Sequence, residues 1–231
     1  MREPLVLLPG MMCDGRLFAP QIAAFSHEHP VLVAPLTGAD TMSALATAVL
    51  AIAPPRFALA GLSMGGIVAM EMIRQAPDRI SRLALLDTNA LADPPGFAAK
   101  REAQVEKALS GELRSVMRDE MKPNYLTDGP DRDAILDLCM EMAEDLGPRV
   151  FARQSAALQH RPDQCETLKS VRVPSLVLCG EDDRLCPLRR HELMHDLIEG
   201  SRLAVIAGAG HLPTLEQPDL TNRTLNEWLK L

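Results

Sequence analysis

A serine framed by glycines, Gly61-Leu62-Ser63-Met64-Gly65, lies between a short apolar run, Arg56-Phe57-Ala58-Leu59-Ala60, and an amphipathic stretch, Gly65-Gly66-Ile67-Val68-Ala69-Met70-Glu71-Met72-Ile73. Read as strand, turn and helix, this spacing forces the central residue into a strained conformation. The glycines remove side chains that would collide there. The hydroxyl of Ser63 is then pushed out above the strand end, at a helix N-terminus whose free N–H groups favour developing negative charge. The chemistry such a residue offers is nucleophilic attack. The plainer reading is a glycine-rich turn whose serine only caps a helix.

A serine hydroxyl is a weak nucleophile, so a base and an orienting acid are needed from elsewhere in the chain. His211, in Gly208-Ala209-Gly210-His211-Leu212-Pro213, follows the last apolar run and is the best-placed base. The other histidines fit less well: His27 and His29 end the first helical stretch, His160 closes a later one, and His191 and His195 fall within a helix. For the acid, Leu176-Val177-Leu178-Cys179 leads into Gly180-Glu181-Asp182-Asp183, a turn at a strand's C-terminal end, where α/β sheets place their sites. Asp183 is the choice, with Asp182 its nearest competitor and Asp87 a third option. A rival motif, His191-Glu192-Leu193-Met194-His195, matches the H-E-x-x-H zinc pattern, with Glu216 a conceivable third ligand. It falls in the helix needed between the last two strands, with Leu193, Leu197 and Ile198 facing inward, which favours a packing role and no metal.

The elements that must position these residues follow one grammar. Leu5–Leu8, Val31–Ala34, Phe57–Ala60, Leu83–Leu86, Leu176–Cys179 and Leu203–Ile206 are continuous apolar runs, as strands buried on both faces require. Helical patterns alternate with them. Met42, Leu45, Ala46, Val49 and Leu50 keep helical spacing behind Asp40 or Thr41 as N-cap, and Leu220, Leu225, Trp228 and Leu229 mark the inner face of a last helix after Pro218. The expected fold is α/β: an open, mostly parallel sheet of about six strands with helices on both faces. From 91 to 165 no strand-like run occurs. Helical faces at Leu113, Val116, Met117 and Met121, and at Ile135, Leu138, Cys139, Met142 and Leu146, are punctuated by Pro94-Pro95, Gly111, Asp128-Gly129-Pro130 and Gly147-Pro148. This predicts a helical cap, 91–165, inserted into a core of 1–90 and 166–231.

The bulk composition narrows the function. The chain has 231 residues, 47% hydrophobic and 24% charged, and a net charge of −7, which gives no reason to expect nucleic acid or an anionic membrane as partner. The N-terminal apolar run is too short for a signal peptide, and no stretch reaches the roughly 20 apolar residues of a membrane span. Five scattered cysteines without a C-x-x-C pair suit reduced thiols in the cytoplasm. With 3% aromatics and 12 methionines, a pocket lined by flexible aliphatic and thioether groups is expected.

The order Ser63, Asp183, His211 resembles the α/β-hydrolase superfamily, in its serine esterase and lipase-like branch with a helical cap. The likeness covers nearly the whole chain, through Gly61-Leu62-Ser63-Met64-Gly65-Gly66, Val173-Pro174-Ser175-Leu176-Val177-Leu178-Cys179-Gly180-Glu181-Asp182-Asp183 and Gly208-Ala209-Gly210-His211-Leu212. The family acid stands three residues after the glycine, which selects Asp183. The family's oxyanion loop usually reads His-Gly but here is Pro9-Gly10-Met11-Met12. Because the donors are backbone N–H groups, Met11 and Met64 are the implied pair. By this resemblance the family's two opening strands are expected to be absent, leaving six strands and an edge on which self-association as a homo-oligomer is an expectation. The resemblance implies hydrolysis of a small-molecule carboxylic ester of small to medium acyl chain, without metal or cofactor. Enol-lactone hydrolysis or carbon–carbon bond hydrolysis on the same triad are the alternatives, and a non-catalytic receptor or scaffold of the same fold is a more distant one.

Overall fold

The computed structural model describes residues 2–94 and 96–231; Met1 and Pro95, the latter one of the expected punctuation residues, lie outside the described residues. All six apolar runs form strands: β1 (Leu5–Leu8), β2 (Val31–Val33), β3 (Phe57–Leu62), β4 (Ile80–Leu86), β5 (Ser175–Gly180) and β6 (Arg202–Ile206). They make one parallel sheet in the order β2-β1-β3-β4-β5-β6. Every residue of β1, β3 and β5 is buried, as continuous apolar strands covered on both faces must be, whereas the edge strand β6 exposes Arg202 and Val205.

Helices α1 (Ala19–Phe25), α2 (Met42–Ile52) and α3 (Met64–Gln75) follow the first three strands. Thr41 rather than Asp40 caps α2: its hydroxyl accepts the Ala44 N–H at 3.2 Å. Between β4 and β5 the described residues are all helix or loop: α4 (Phe97–Lys107), π-helical turns at Ala108–Glu112 and Val116–Met121 flanking α5 (Leu113–Ser115), then α6 (Arg132–Leu146), α7 (Pro148–Gln159) and α8 (Cys165–Lys169). Helix α9 (Leu188–Leu197) crosses from β5 to β6, and α10 (Pro213–Glu216) and α11 (Pro218–Leu229) close the chain.

Two apolar clusters flank the sheet. One joins Val6, Leu59 and Leu85 to α2, α3 and, from the segment after β4, Met117, Met140 and Phe151. The other joins Leu7, Ala60 and Leu178 to Phe18, Trp228 and, from that same segment, Ile135, Cys139 and Met142. The helices after β4 therefore share their apolar cores with the sheet. No helix among the described residues is long and apolar enough to cross a membrane.

The turn after β3 has the strain expected of it. Ser63 adopts φ 55° and ψ −117°, a conformation that costs on the order of 1–3 kcal/mol for a non-glycine residue and persists only where its surroundings enforce it. A Cβ on Gly61 would stand 2.3 Å from the Gly65 carbonyl oxygen, and one on Gly65 only 2.0 Å from that of Leu8. Both obstacles are backbone, so no side-chain rearrangement relieves them. Gly65→Ala is expected to lower stability by roughly 3 kcal/mol or more, the scale of severe overpacking. Thermal unfolding read by circular dichroism measures it; an unchanged midpoint would mean that β1 and α3 can separate at no cost.

Candidate active site

The residues singled out as chemical lie at the C-terminal ends of the parallel strands. Met11 follows β1, Ser63 follows β3, Asp183 lies three residues beyond Gly180 at the end of β5, and His211 is in the loop after β6. The Ser63 Oγ is 2.9 Å from His211 Nε2, and His211 Nδ1 is 2.8 Å from Asp183 Oδ2. His211 and Asp183 are buried. The second oxygen of Asp183 accepts the backbone N–H groups of Leu185 (2.8 Å) and Cys186 (2.9 Å). Burial alone would raise the Asp183 carboxyl. The facing His211 and these hydrogen bonds outweigh it and hold the group at about 2, hence ionised at neutral pH.

Asp182, the nearest competitor, is exposed, and its N–H donates to the Ala209 carbonyl at 2.9 Å. Asp87 is fully buried, with φ 42°, and accepts the Gly180 N–H at 2.8 Å. Burial, reinforced by the negative charge of Asp183, pushes its carboxyl well above the usual range. Two neighbouring carboxyls are thus split in character, Asp183 charged and Asp87 driven towards its neutral form. Of the three candidate carboxyls, only Asp183 makes a hydrogen bond with the imidazole.

Met64 is the first residue of α3, so its N–H has no intrahelical acceptor. Met11 sits in the loop after β1 beside Met12, which takes φ 56°. That loop is pinned from α7: the Met12 N–H donates to Gln154 Oε1 at 2.9 Å, and Gln154 Nε2 donates to the Leu36 carbonyl at 2.8 Å. A polar residue in the middle of a helix gave no hint of this in the sequence. Three further braces were equally hidden. Thr88 Oγ1 donates to the Ser63 carbonyl at 2.7 Å. The carbonyl of Tyr125 accepts the His211 N–H at 2.6 Å, with its ring edge-on to the imidazole at 5.2 Å. Glu216 accepts the N–H groups of Gly210 and Leu212, both at 3.0 Å, and that of Thr127 at 2.8 Å, tying the histidine loop to the segment after β4.

The H-E-x-x-H stretch is used for packing. In α9 the buried residues are His191 and Met194, followed by Ile198, while Leu193 and Leu197 are only half-buried. His191 Nε2 accepts the Thr88 N–H at 3.2 Å, and His195 Nδ1 is 2.8 Å from the Ser201 hydroxyl. Among the described residues the one group of metal-type side chains that converges is Asp183, Cys186 and His211, which includes neither α9 histidine. Burial holds His191 down at about 4, from 6.5, against the opposing pull of Asp183. The unfolded chain therefore takes up a proton near pH 6.5 that the native state refuses until about 4. Stability from this group is complete above the upper value and is lost as pH falls through that window. The urea midpoint of the wild type is expected to fall between about pH 7.5 and about pH 4.5 more steeply than that of His191→Gln. Parallel curves would contradict this.

A cavity of about 300 Å³ opens onto Ser63 and His211. Met11, Met64, Ile67, Met121 and Leu158 line it, in keeping with the methionine-rich composition. Composition gives no sign of the charged part of the lining: Asp93, Lys100, Arg101, Glu120, Arg161 and Arg190 line it too. Most of these come from helix surfaces that, in sequence, look like ordinary solvated faces.

A family model described as the alpha/beta hydrolase family matches residues 5–224. A pimeloyl-[acyl-carrier protein] methyl ester esterase of Aeromonas hydrophila is 28% identical over 229 residues, 93% of this chain and 90% of that one. The corresponding esterase of Neisseria meningitidis is 27% identical over 164 residues, 69% of this chain but only 63% of its own length. In structure, a thermophilic esterase from Thermogutta terrifontis, solved with malate bound, superposes with a TM-score of 0.89 at 28% identity, covering 99% of this chain and 89% of that one.

Proposed function

The chain belongs to the alpha/beta hydrolase family, and on that footing we propose that it hydrolyses carboxylic esters of small to medium acyl chain through an acyl-enzyme on Ser63. One observation carries the reading: the unbroken hydrogen-bonded series from Ser63 Oγ through His211 to Asp183, at 2.9 and 2.8 Å, opening into a cavity. His211 Nε2 takes the Ser63 proton as Oγ attacks the ester carbonyl. Asp183 holds the proton on Nδ1 and stabilises the imidazolium that forms. The oxyanion gathers at the N–H groups of Met11 and Met64, each donor worth about 3 kcal/mol. His211 then passes its proton to the departing alcohol, and the same base activates water to release the acid. The esterase relatives support the reaction class. Each step as written is proton transfer and acyl transfer carried by the chain's own groups.

The reading also divides the chain into a core, 1–90 and 166–231, and a cap, 91–165. Its support is that β4 and β5 are adjacent in the sheet although the helices from α4 to α8 lie between them in sequence, and that Phe97, Tyr125 and Leu158 from that segment line the cavity with Ser63. A cytoplasmic location is part of it, supported by five cysteines that are all unpaired.

Hydrolysis of p-nitrophenyl butanoate tests the reaction class. Turnover that persists in excess chelator is expected. Turnover abolished by chelator would sink the serine reading, and turnover confined to lactones or to carbon–carbon bonds would move the activity elsewhere in the family.

A further inference from the structure

The cavity that holds Ser63 also gathers positive charge. Lys100, Arg101, Arg161 and Arg190 line it against two carboxylates, Asp93 and Glu120. On a chain of net charge −7 this is the reverse of the overall balance. Nor are the two acids free to neutralise all four cations. Asp93, its side chain only 8% exposed, forms ion pairs with both Arg101 (2.7 Å) and Arg161 (2.8 Å), so one negative charge serves two guanidinium groups. Arg161 is fixed further by donating to the Leu91 carbonyl at 2.9 Å. Glu120 is committed to Lys107 at 2.7 Å and to Gln104 at 3.1 Å. Among the described residues, neither Lys100 nor Arg190 has an ion-pair partner.

The three guanidinium groups are close enough to feel one another. Burial first, and then the charges of Arg101 and Arg190, pull Arg161 below the usual arginine range, while Asp93 opposes them. Like charges gathered in a partly enclosed site cost free energy unless a counter-charge joins them, and the guanidinium fork suits a planar or tetrahedral oxyanion.

We propose that Arg190 and Lys100, backed by the Arg101–Asp93–Arg161 group, form an anion subsite, and that the ester cleaved at Ser63 carries a second group, a carboxylate or a phosphate, which this subsite binds. The proposal rests on the reading of Ser63 as an esterase nucleophile, and it narrows the substrate from carboxylic esters in general to anionic ones.

Matched ester pairs test it and show which part of the substrate carries the charge. Monomethyl adipate against methyl hexanoate places the anion on the acyl side. The butanoyl ester of glycolate against ethyl butanoate places it on the alcohol side, and the butanoyl ester of glycerol phosphate substitutes a phosphate. In at least one arm the anionic ester is expected to show a KM about tenfold lower at low ionic strength, the scale of one charge-assisted pair. The advantage should shrink as salt is added. The ratio of anionic to neutral kcat/KM should fall towards one in Arg190→Gln combined with Lys100→Gln, both at the surface of the cavity, with thermal melting to confirm that the variant is folded. Neutral esters hydrolysed with no preference in any arm, or a preference unaltered in the double variant, would overturn the subsite and leave Ser63 as nucleophile. If no ester of either kind is turned over, calorimetric binding of adipate dianion decides: binding that the double variant loses supports the subsite, and no binding overturns it.

Discussion

Replacing Ser63 by alanine is expected to lower kcat for ester hydrolysis roughly a million-fold, the scale on which loss of a triad serine removes acyl transfer. The size follows from what the hydroxyl does. Its Oγ is the one atom of the series that can form a bond to the acyl carbon, and its hydrogen-bond partner is His211 Nε2 at 2.9 Å. Without it, His211 and the Met11 and Met64 amides remain to polarise a carbonyl and activate water. Such remnants sustain about 10³–10⁴-fold acceleration over the uncatalysed reaction. The fold should survive. Ser63 makes no side-chain cap to α3. Alanine keeps the Cβ at the same strained φ, so stability should move by about 1 kcal/mol or less. KM should change little, because the oxygen interacts most strongly in the transition state. Kinetics on p-nitrophenyl butanoate beside a melting curve separates the two effects. A loss of turnover that tracked a loss of fold would not count for the nucleophile.

The second large effect is expected from Asp183→Asn, at about 10⁴-fold in kcat. Asp183 Oδ2 accepts from His211 Nδ1 at 2.8 Å, which keeps the proton there and leaves Nε2 bare towards Ser63. An asparagine can turn its NH₂ to the ring. That reverses the tautomer and sets an N–H against the serine hydroxyl, where a base is required. Its amide oxygen can still accept from Leu185 and Cys186, so the turn should keep its shape. Asp87 offers no replacement: its Oδ1 is held by the Gly180 N–H, and burial disfavours its charge. Asp182→Asn, on an exposed side chain, should change kcat by less than about threefold. Equal losses in the two variants would mean that neither is the orienting acid.

The strands and the three central residues were legible because they are written locally. β1 occupies the expected Leu5–Leu8, and the G-x-S-x-G turn carries its own steric logic in Gly61 and Gly65. β4 begins at Ile80, ahead of the apolar run that Ser81 and Arg82 cut short in the sequence; Arg82 pairs with Glu3 at 2.7 Å. What the sequence hid depends on residues distant along the chain. Gln154 reaches across 142 positions to Met12, and Glu216 across 89 to Thr127. Glu216, by sequence a conceivable metal ligand, has a bracing role through its three backbone donors. His191 looked like half of a zinc motif because spacing alone cannot tell a ligand from a ring turned into the core against Thr88. The charged lining is hidden in the sequence for the same reason: Lys100 and Arg190 are ordinary surface residues until α4 and α9 bring them to one cavity.

The central claim is that Ser63 is an activated nucleophile, and a fluorophosphonate probe tests it most directly, since it phosphonylates a serine only where a neighbouring base raises its reactivity. Intact-mass analysis and peptide mapping should find one adduct per chain, on Ser63, formed slowly or not at all in His211→Ala and absent from Ser63→Ala. An enzyme that hydrolyses esters yet stays unlabelled, or carries its adduct on another residue, would contradict the account.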